Sequence, residues 1–330
     1  MVTLNLNPCL SPVWAPTGHA QTWLGYFLPS PVLQTQGTRI EITLPDQDRM
    51  VAQTYAGTSD LVIYLFHGLG GNTTAGYMQR TARLCQEADH TVWLVNHRGC
   101  GEGFGIASQP YHSGRAEDLS AAIEVGKKRF PNKRHLAIGF SLSGNALLLL
   151  MTGRRGQVKP DYAISVNAPI ELAATALKLS QGLNRIYDFW FVQHCRWHLV
   201  QKKRHGLLDR HYEVPIFSRL TDFDDIYTAP AGGFADAKDY YISCSAQAHL
   251  SLIDQPTLMI SAKDDPIIPY RDYLQAKLSP FVQLHIENHG GHLGYISREK
   301  TPLVNNRWLD YALKNAVAGF YRLDKDSKLG

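Results

Sequence analysis

Apolar and polar positions follow two different rhythms along this chain, and the changes between them predict its elements. Residues 38–44 alternate as a half-buried strand does, with Ile40, Ile42 and Leu44 on one face. A second strand is expected over 50–55, after an Asp-bearing turn. Leu61-Val62-Ile63-Tyr64-Leu65-Phe66 is apolar without a break, and 91–96 repeats the pattern, as strands covered on both faces of a parallel sheet do. Helical spacing takes over at 74–87 and again at 118–130, where Leu119, Ala122, Ile123, Gly126 and Phe130 share a stripe. An apolar run leading to Phe140, a buried helix from Ala146 to Met151, and strands at 162–166, 257–261 and 282–287 continue the series. An amphipathic helix around 304–320 closes it. Strands alternating with helices in this way predict an α/β fold, a mostly parallel central sheet flanked by helices.

Two stretches fall outside the rhythm. Residues 1–35 hold Pro8, Pro12, Pro16, Pro29 and Pro31 among Trp14, Trp23, Tyr26 and Phe27. Prolines at this density exclude long regular elements, and the aromatics predict an N-terminal arm packed on the core. His19 and Gln21 within it are candidates for a role at a site, beside the plainer reading that the arm only covers core. From about 169 to about 252 no strand pattern occurs, and aromatic and basic residues replace it. This is read as a helical cap insertion over the carboxyl edge of the sheet. The whole of 1–330 is read as one domain, without internal repeats.

Composition adds exclusions. A chain of 330 residues, 44% hydrophobic and 19% charged, buries a large core and is neither disordered nor fibrous. A formal charge of +4 is too small for its length to argue for nucleic acid as a partner. Cys9, Cys85, Cys100, Cys195 and Cys244 are scattered and form no C-x-x-C pair, which reads as reduced thiols in a cytoplasmic protein. The first residues lack the basic and apolar regions of a signal peptide, and no apolar run has bilayer-spanning length. A soluble or at most peripheral protein is expected.

Chemistry enters at Gly139-Phe140-Ser141-Leu142-Ser143-Gly144-Asn145, between the apolar strand and the buried helix. A chain that swings from strand to helix over a serine leaves its Oγ exposed above the sheet, as in the G-x-S-x-G nucleophile elbow. Here Ser143 stands where that pattern has its last glycine. Ser141 is the expected nucleophile. Ser143 is the minor alternative, since it would put the nucleophile inside the helix. On this reading Ser143→Gly leaves activity standing or raises it.

Three further stretches follow strands, where ligands of open α/β sheets sit. His67-Gly68-Leu69-Gly70-Gly71 is a tight turn whose backbone N–H groups can point into a cavity. The N–H groups of Leu69 and Leu142 are assigned as oxyanion donors, a role in which one donor is worth about 2.7–4 kcal/mol of barrier. A phosphate loop is disfavoured because no Lys-Ser/Thr follows the glycines. Asp264-Asp265-Pro266-Ile267-Ile268-Pro269 offers an acid to orient a histidine. Asp265 is preferred for the proline four residues on, with Asp264 as the alternative. Asn288-His289-Gly290-Gly291-His292-Leu293-Gly294 offers the base, and His292 is preferred over His289 for the glycines flanking it. A zinc site of His285, His289 and His292 ranks low, because H-E-x-x-H is absent and His285 lies within a strand. Ser141, Asp265, His292 is the nucleophile–acid–base order of α/β-hydrolases.

With these residues the chain resembles the YheT-like esterases, the AB hydrolase 4 family of the α/β-hydrolase superfamily. The resemblance spans nearly the whole chain. It rests on Gly18-His19-Ala20-Gln21-Thr22, Phe66-His67-Gly68-Leu69, Asn96-His97-Arg98-Gly99-Cys100, Tyr111-His112-Ser113-Gly114, Gly139-Phe140-Ser141-Leu142, Phe223-Asp224-Asp225 with Gly233-Phe234, and the Asp265 and His292 segments. It implies a serine esterase with Ser141, Asp265 and His292 as triad, acting on short- to medium-chain acyl esters or acylglycerols without a cofactor or metal. The departure from the family is Ser143.

Three functions follow, from different classes: ester hydrolysis through an acyl-enzyme, acyl transfer to an alcohol with the same triad, and a non-catalytic binding protein on a hydrolase fold. Residues 194–211, with Arg196, Lys202, Lys203, Arg204 and Arg210 around Trp197, Leu199 and Val200, suit either a solvated cap helix or peripheral contact with an anionic membrane.

Overall fold

The unbroken apolar runs become the interior strands of one sheet. A computed structural model describes residues 6–33 and 36–327, so residues 1–5 and 34–35 of the expected arm lie outside the described residues. Strands β1 (Thr38–Thr43), β2 (Arg49–Tyr55), β3 (Leu61–Phe66), β4 (Thr91–Asn96), β5 (Arg134–Phe140), β6 (Tyr162–Val166), β7 (Thr257–Ala262) and β8 (Val282–Glu287) stand in the order β1-β2-β4-β3-β5-β6-β7-β8. β1, β2 and β4 pair antiparallel, and all pairs from β4 to β8 are parallel. β3, β4 and β7 are buried along their full length, which is why they read as continuous apolar runs instead of alternating ones.

Two apolar layers cover the sheet. On one face α3 (Ala116–Arg129) and α4 (Leu142–Met151) contribute Leu119, Ile123 and the run Leu147 to Met151, packed on Val62, Tyr64, Phe66 and Ala137. On the other, α2 (Gly76–Glu87) and the closing helix Trp308–Ser327 pack Met78, Ala82, Leu309 and Phe320 on Leu61, Ile63, Leu65 and Ile138. The buried pair Arg80–Asp310, at 3.0 Å, ties these two helices. α4 is apolar on every side because it is enclosed on every side. The closing helix begins four residues later than the pattern suggests, since Val304 has φ of 59° and the chain is still turning there.

The arm differs from expectation. It holds a ten-residue helix, α1 (Gly18–Phe27), whose N-cap Thr17 accepts from the Ala20 N–H. The prolines frame this helix at Pro16 and Pro29 and leave the stretch between them free. Between β6 and β7 the described chain is helical, with α5 (Leu172–Leu179), α6 (Arg185–Arg204), short turns from Leu220 to Gly232 and the helix Ala237–Cys244. No helix among the described residues is long and apolar enough to cross a membrane. All five cysteines are free thiols.

Strand order reverses at β3, with β4 on one side and β5 on the other, so the loops after β3 and β5 diverge and leave a crevice. The loops after β7 and β8 end on the same edge.

Candidate active site

The elbow is built by close packing. Ser141 follows the last residue of β5 and caps α4, with φ 52° and ψ −121°. A non-glycine residue held there costs about 1–3 kcal/mol and persists only where its surroundings fix it. They do: the Ser141 N–H donates to the Val166 carbonyl at 2.8 Å, which continues the sheet through the turn. A Cβ at Gly139 would lie 2.6 Å from the Ser143 carbonyl oxygen, and one at Gly144 would lie 2.8 Å from both Ala168 Cβ and Ser165 Oγ. These two glycines let α4 fold back onto β5 and β6.

Above the elbow a relay of three side chains closes. His292 Nε2 lies 2.9 Å from Ser141 Oγ, and His292 Nδ1 lies 2.9 Å from Asp265 Oδ2. The Asp265 Oδ1 atom accepts from the Ile267 and Ile268 N–H groups at 2.7 and 3.0 Å. Burial pushes the Asp265 carboxyl up, but His292 beside it and these backbone donors outweigh burial and hold it below its ordinary range. Lys178 of α5 donates to the Asp265 and Ile268 carbonyls and pins the same loop from outside.

Asp264, the alternative acid, points elsewhere. Its Oδ1 accepts from the Gly291 N–H at 2.9 Å, and its other oxygen is 3.6 Å from His289. Burial raises its carboxyl. His285 pairs with Glu287 at 2.7 Å. The three histidines of the zinc reading thus have separate partners, and no metal-holding cluster of three His, Cys, Asp or Glu occurs among the described residues.

The turn after β3 crowds the elbow: a Cβ on Gly68 would stand 3.0 Å from Ser141 Cβ. Leu69 follows it and lines the Ser141 cavity. Leu142 opens α4, so its N–H has no carbonyl within the helix to bond. His67 holds the turn from behind. Its Nδ1 donates to the Gly68 carbonyl at 2.8 Å and its Nε2 accepts from the His97 N–H at 3.2 Å. Burial holds this imidazole neutral, with its pKa down at about 4.

Ser143 faces away from His292. Its hydroxyl is buried, donates to the His67 carbonyl, and lies 2.6 Å from His97 Nε2 and 2.9 Å from Tyr111 OH. The serine in the glycine position therefore joins α4 to the turn carrying Leu69. A glycine there would leave His97 Nε2 without this partner and the His67 carbonyl with only the Tyr111 hydroxyl, at 3.3 Å, so a neutral or beneficial Ser143→Gly is no longer expected.

Asn167 and Thr22 meet the relay without having been singled out for it, whereas the arm's candidate Gln21 bonds only to Ala15 and Ile296. Asn167, at the end of β6 with φ 48°, donates from Nδ2 to Asp265 Oδ2 at 2.7 Å and accepts from Tyr295 OH at 2.9 Å. Thr22 of α1 accepts from the His292 N–H at 2.8 Å. Gln21 accepts from the Ile296 N–H and donates to the Ala15 and Ile296 carbonyls. The signal for Gln21 and Thr22 is the Gly18-His19-Ala20-Gln21-Thr22 segment itself. Asn167 has none, being a lone polar residue after a strand. His19 lies 3.1 Å from the Tyr187 hydroxyl, away from the relay.

Ser141 and His292 open into a cavity of about 450 Å³ walled by Trp23, Tyr26, Tyr187, Trp190 and Phe191. A smaller chamber, about 140 Å³, shares Leu69 and Gly70 with it and continues past Leu142 toward Asp224 and Lys202.

Comparison with known proteins agrees with this architecture. A family profile described as alpha/beta hydrolase fold matches residues 62–299. The candidate esterase YheT of Escherichia coli (strain K12) is 31% identical over 75% of this chain and 74% of its own length. The medium-chain fatty acid ethyl ester synthase/esterase 2 of Saccharomyces cerevisiae is 24% identical over 79% of this chain and 63% of its own. Among solved structures, the Pyrococcus furiosus esterase Pf2001 superposes with a TM-score of 0.56 at 17% identity, over 89% of this chain and 96% of that one, a likeness of fold.

Proposed function

The chain belongs to the alpha/beta hydrolase fold family, in its YheT-like branch, and is a carboxylic ester hydrolase; from that premise we propose that Ser141, His292 and Asp265 are its catalytic triad. The observation that carries the assignment is the continuous relay, 2.9 Å at each link, standing on a strained elbow inside the larger cavity.

In this reading His292 Nε2 takes the Ser141 proton as Oγ attacks the ester carbonyl carbon. The carbonyl oxygen gains negative charge and is held by the Leu69 and Leu142 N–H groups, which are fixed before the reaction begins. Asp265 keeps Nδ1 protonated and stabilises the imidazolium. His292 then returns its proton to the leaving alcohol as the C–O bond breaks, leaving acyl-Ser141. Water, deprotonated by His292, releases the carboxylic acid. A fluorophosphonate probe is expected to label the wild type and not Ser141→Ala, and equal labelling of both would defeat the assignment.

The substrates we infer are short- to medium-chain acyl esters or acylglycerols. A volume of about 450 Å³ falls within the roughly 300–1,000 Å³ of ligand sites, and aromatic walls suit an apolar arm of limited length. Across p-nitrophenyl esters from acetate to palmitate, kcat/KM should pass through a maximum before the longest chain; a rise through palmitate overturns the size limit. Acyl transfer to an alcohol is a second reading. It is supported by the synthase/esterase relative and by the chamber beyond Leu69, which offers room for an acceptor on the far side of the carbonyl. With ethanol added, an ethyl ester product supports it, and free acid alone at every ethanol concentration removes it.

A further inference from the structure

α6 has two faces of different character. Tyr187, Asp188, Val192, Leu199 and Lys202 are its buried residues. Elsewhere on it Ile186, Phe189, Trp197 and Val200 are 55%, 47%, 56% and 45% exposed. The steps from Ile186 to Trp197 and from Phe189 to Val200 are eleven residues, close to three full turns, so these four form one stripe. Gln193 lies on the same stripe. Its amide donates to the Ile216 carbonyl at 2.7 Å and so brings Phe217, 84% exposed, alongside.

Near the start of α6 the stripe meets α1. The Tyr26 and Trp190 rings stand edge to face at 5.8 Å, and Phe27, next to Tyr26, is 68% exposed. Tyr26 and Trp190 also wall the cavity that holds Ser141. An aromatic surface therefore runs from the entrance of that cavity along the outside of α6 to the Phe217 loop. Exposed apolar surface on this scale marks a place of contact.

The charge along the outside of α6 has one sign. Residues 189–208 contain no Asp or Glu and expose Lys203 and Arg204, with Arg196 half-buried against the Val214 carbonyl; Lys202 turns inward to the Ser108 and Gln109 carbonyls, and the loop leading to Phe217 balances Asp209 and Glu213 against Arg210 and Arg219. Lys203 and Arg204 are exposed in the last turn, immediately after Val200. A second copy of the same face would set these cations against one another. Trp and Phe on one side of a helix that ends in cations match a bilayer surface, where the rings enter the headgroup boundary and the cations meet phosphate.

We propose that the outer stripe of α6, with Phe27 and Phe217, docks the protein on an anionic lipid surface with the entrance of the Ser141 cavity turned toward it. The proposal stands apart from the hydrolytic mechanism, and Ser141→Ala should bind vesicles as the wild type does.

The test is co-sedimentation of the full chain with phosphatidylcholine vesicles, with and without phosphatidylglycerol. The bound fraction should rise several-fold when the anionic lipid is present and fall again in high salt, which screens the cations. Trp197→Glu with Phe217→Glu should reduce binding at least about tenfold, since both remove apolar anchoring. Neither residue lines the Ser141 cavity or the chamber beside it, so hydrolysis of a soluble short-chain ester should stay within about twofold and certify the fold. Binding that ignores anionic lipid, or no binding to either vesicle, overturns the proposal. So does a double variant that sediments undiminished. If instead the wild type is a concentration-dependent dimer that the double variant dissolves, with vesicles unbound, the face belongs to a second copy.

Discussion

Two polar clusters flank the turn at Leu69 and Gly70; burial pushes the acid up in both, and only in the first do its partners outweigh burial. In the first, Ser141, His292, Asp265 and Asn167 are bonded to one another, and the one buried acid is held ionised by what surrounds it. In the second, around the smaller chamber, burial raises the Asp224 carboxyl to about 7 and lowers the His198 imidazole to about 4. Thr175 Oγ1 and Tyr227 OH there find no hydrogen-bond partner among the described residues. On the proposed mechanism the first cluster is prepared for a charge that moves during a reaction, because its donors are already aimed. In the second, exclusion of water opposes charge on Asp224 and His198, and the cluster shapes a space.

The contrast is broken most severely at the acid. Asp265→Asn should lower kcat about 10⁴-fold, by presenting the wrong partner to His292 Nδ1. Asp264→Asn, one residue away, should stay within a few-fold in the same assay. Reversed effects would move the acid to Asp264.

Asn167→Ala removes one donor from Asp265 and should cost about 10–100-fold in kcat with little change in KM, the signature of a misplaced catalytic group. An unchanged kcat would show that Asp265 keeps its place beside His292 without this donor.

Ser143→Gly should lower kcat by about tenfold, less than loss of an oxyanion donor outright, because it loosens the turn carrying Leu69 without removing the N–H. It should also lower Tm, since His97, Tyr111 and the His67 carbonyl lose a buried partner. Unchanged activity would show that the turn holds without it.

Asp224→Asn has the smallest expected effect on rate, none beyond twofold, and a measurable one on stability. The carboxyl is raised by burial from 3.8 to about 7. Between those values the folded chain binds a proton that the unfolded chain has released, so the wild type loses stability as pH rises through that window. The variant has no such loss. Its Tm should exceed the wild type's by several degrees at pH 8, and the gap should close toward pH 4. A constant gap would place the titration elsewhere.

Much of this arrangement is legible in the chain. β3, β4 and β6 begin and end where their apolar runs do, because a strand buried on both faces leaves its whole length as a signal, while β8 is half-buried and is marked by alternation. Ser141 and His292 are found by spacing, since glycines must stand beside them. α1 is hidden by prolines that frame it instead of breaking it. The Ser143 network is hidden for another reason. His67, His97 and Tyr111 come from three separate loops and Ser143 from α4, and no local pattern pairs residues that only the sheet brings together. The π-helical turn at Asp224 likewise leaves no periodic trace.

The bond from the His292 N–H to Thr22 spans 270 residues. Chains are made from the amino end, and contacts of such separation form late. α1 must therefore wait through the synthesis of nearly every strand before its partner exists. Until then the turn carrying Ser141, the proposed nucleophile, can be complete while the loop of His292 is still unmade, so a nascent chain carries a serine without its proton acceptor. The order of assembly itself delays reactivity until the last parallel strand is in place. A fragment trimmed to residues 62–299, the span the family profile matches, would begin without the helix that supplies this final brace.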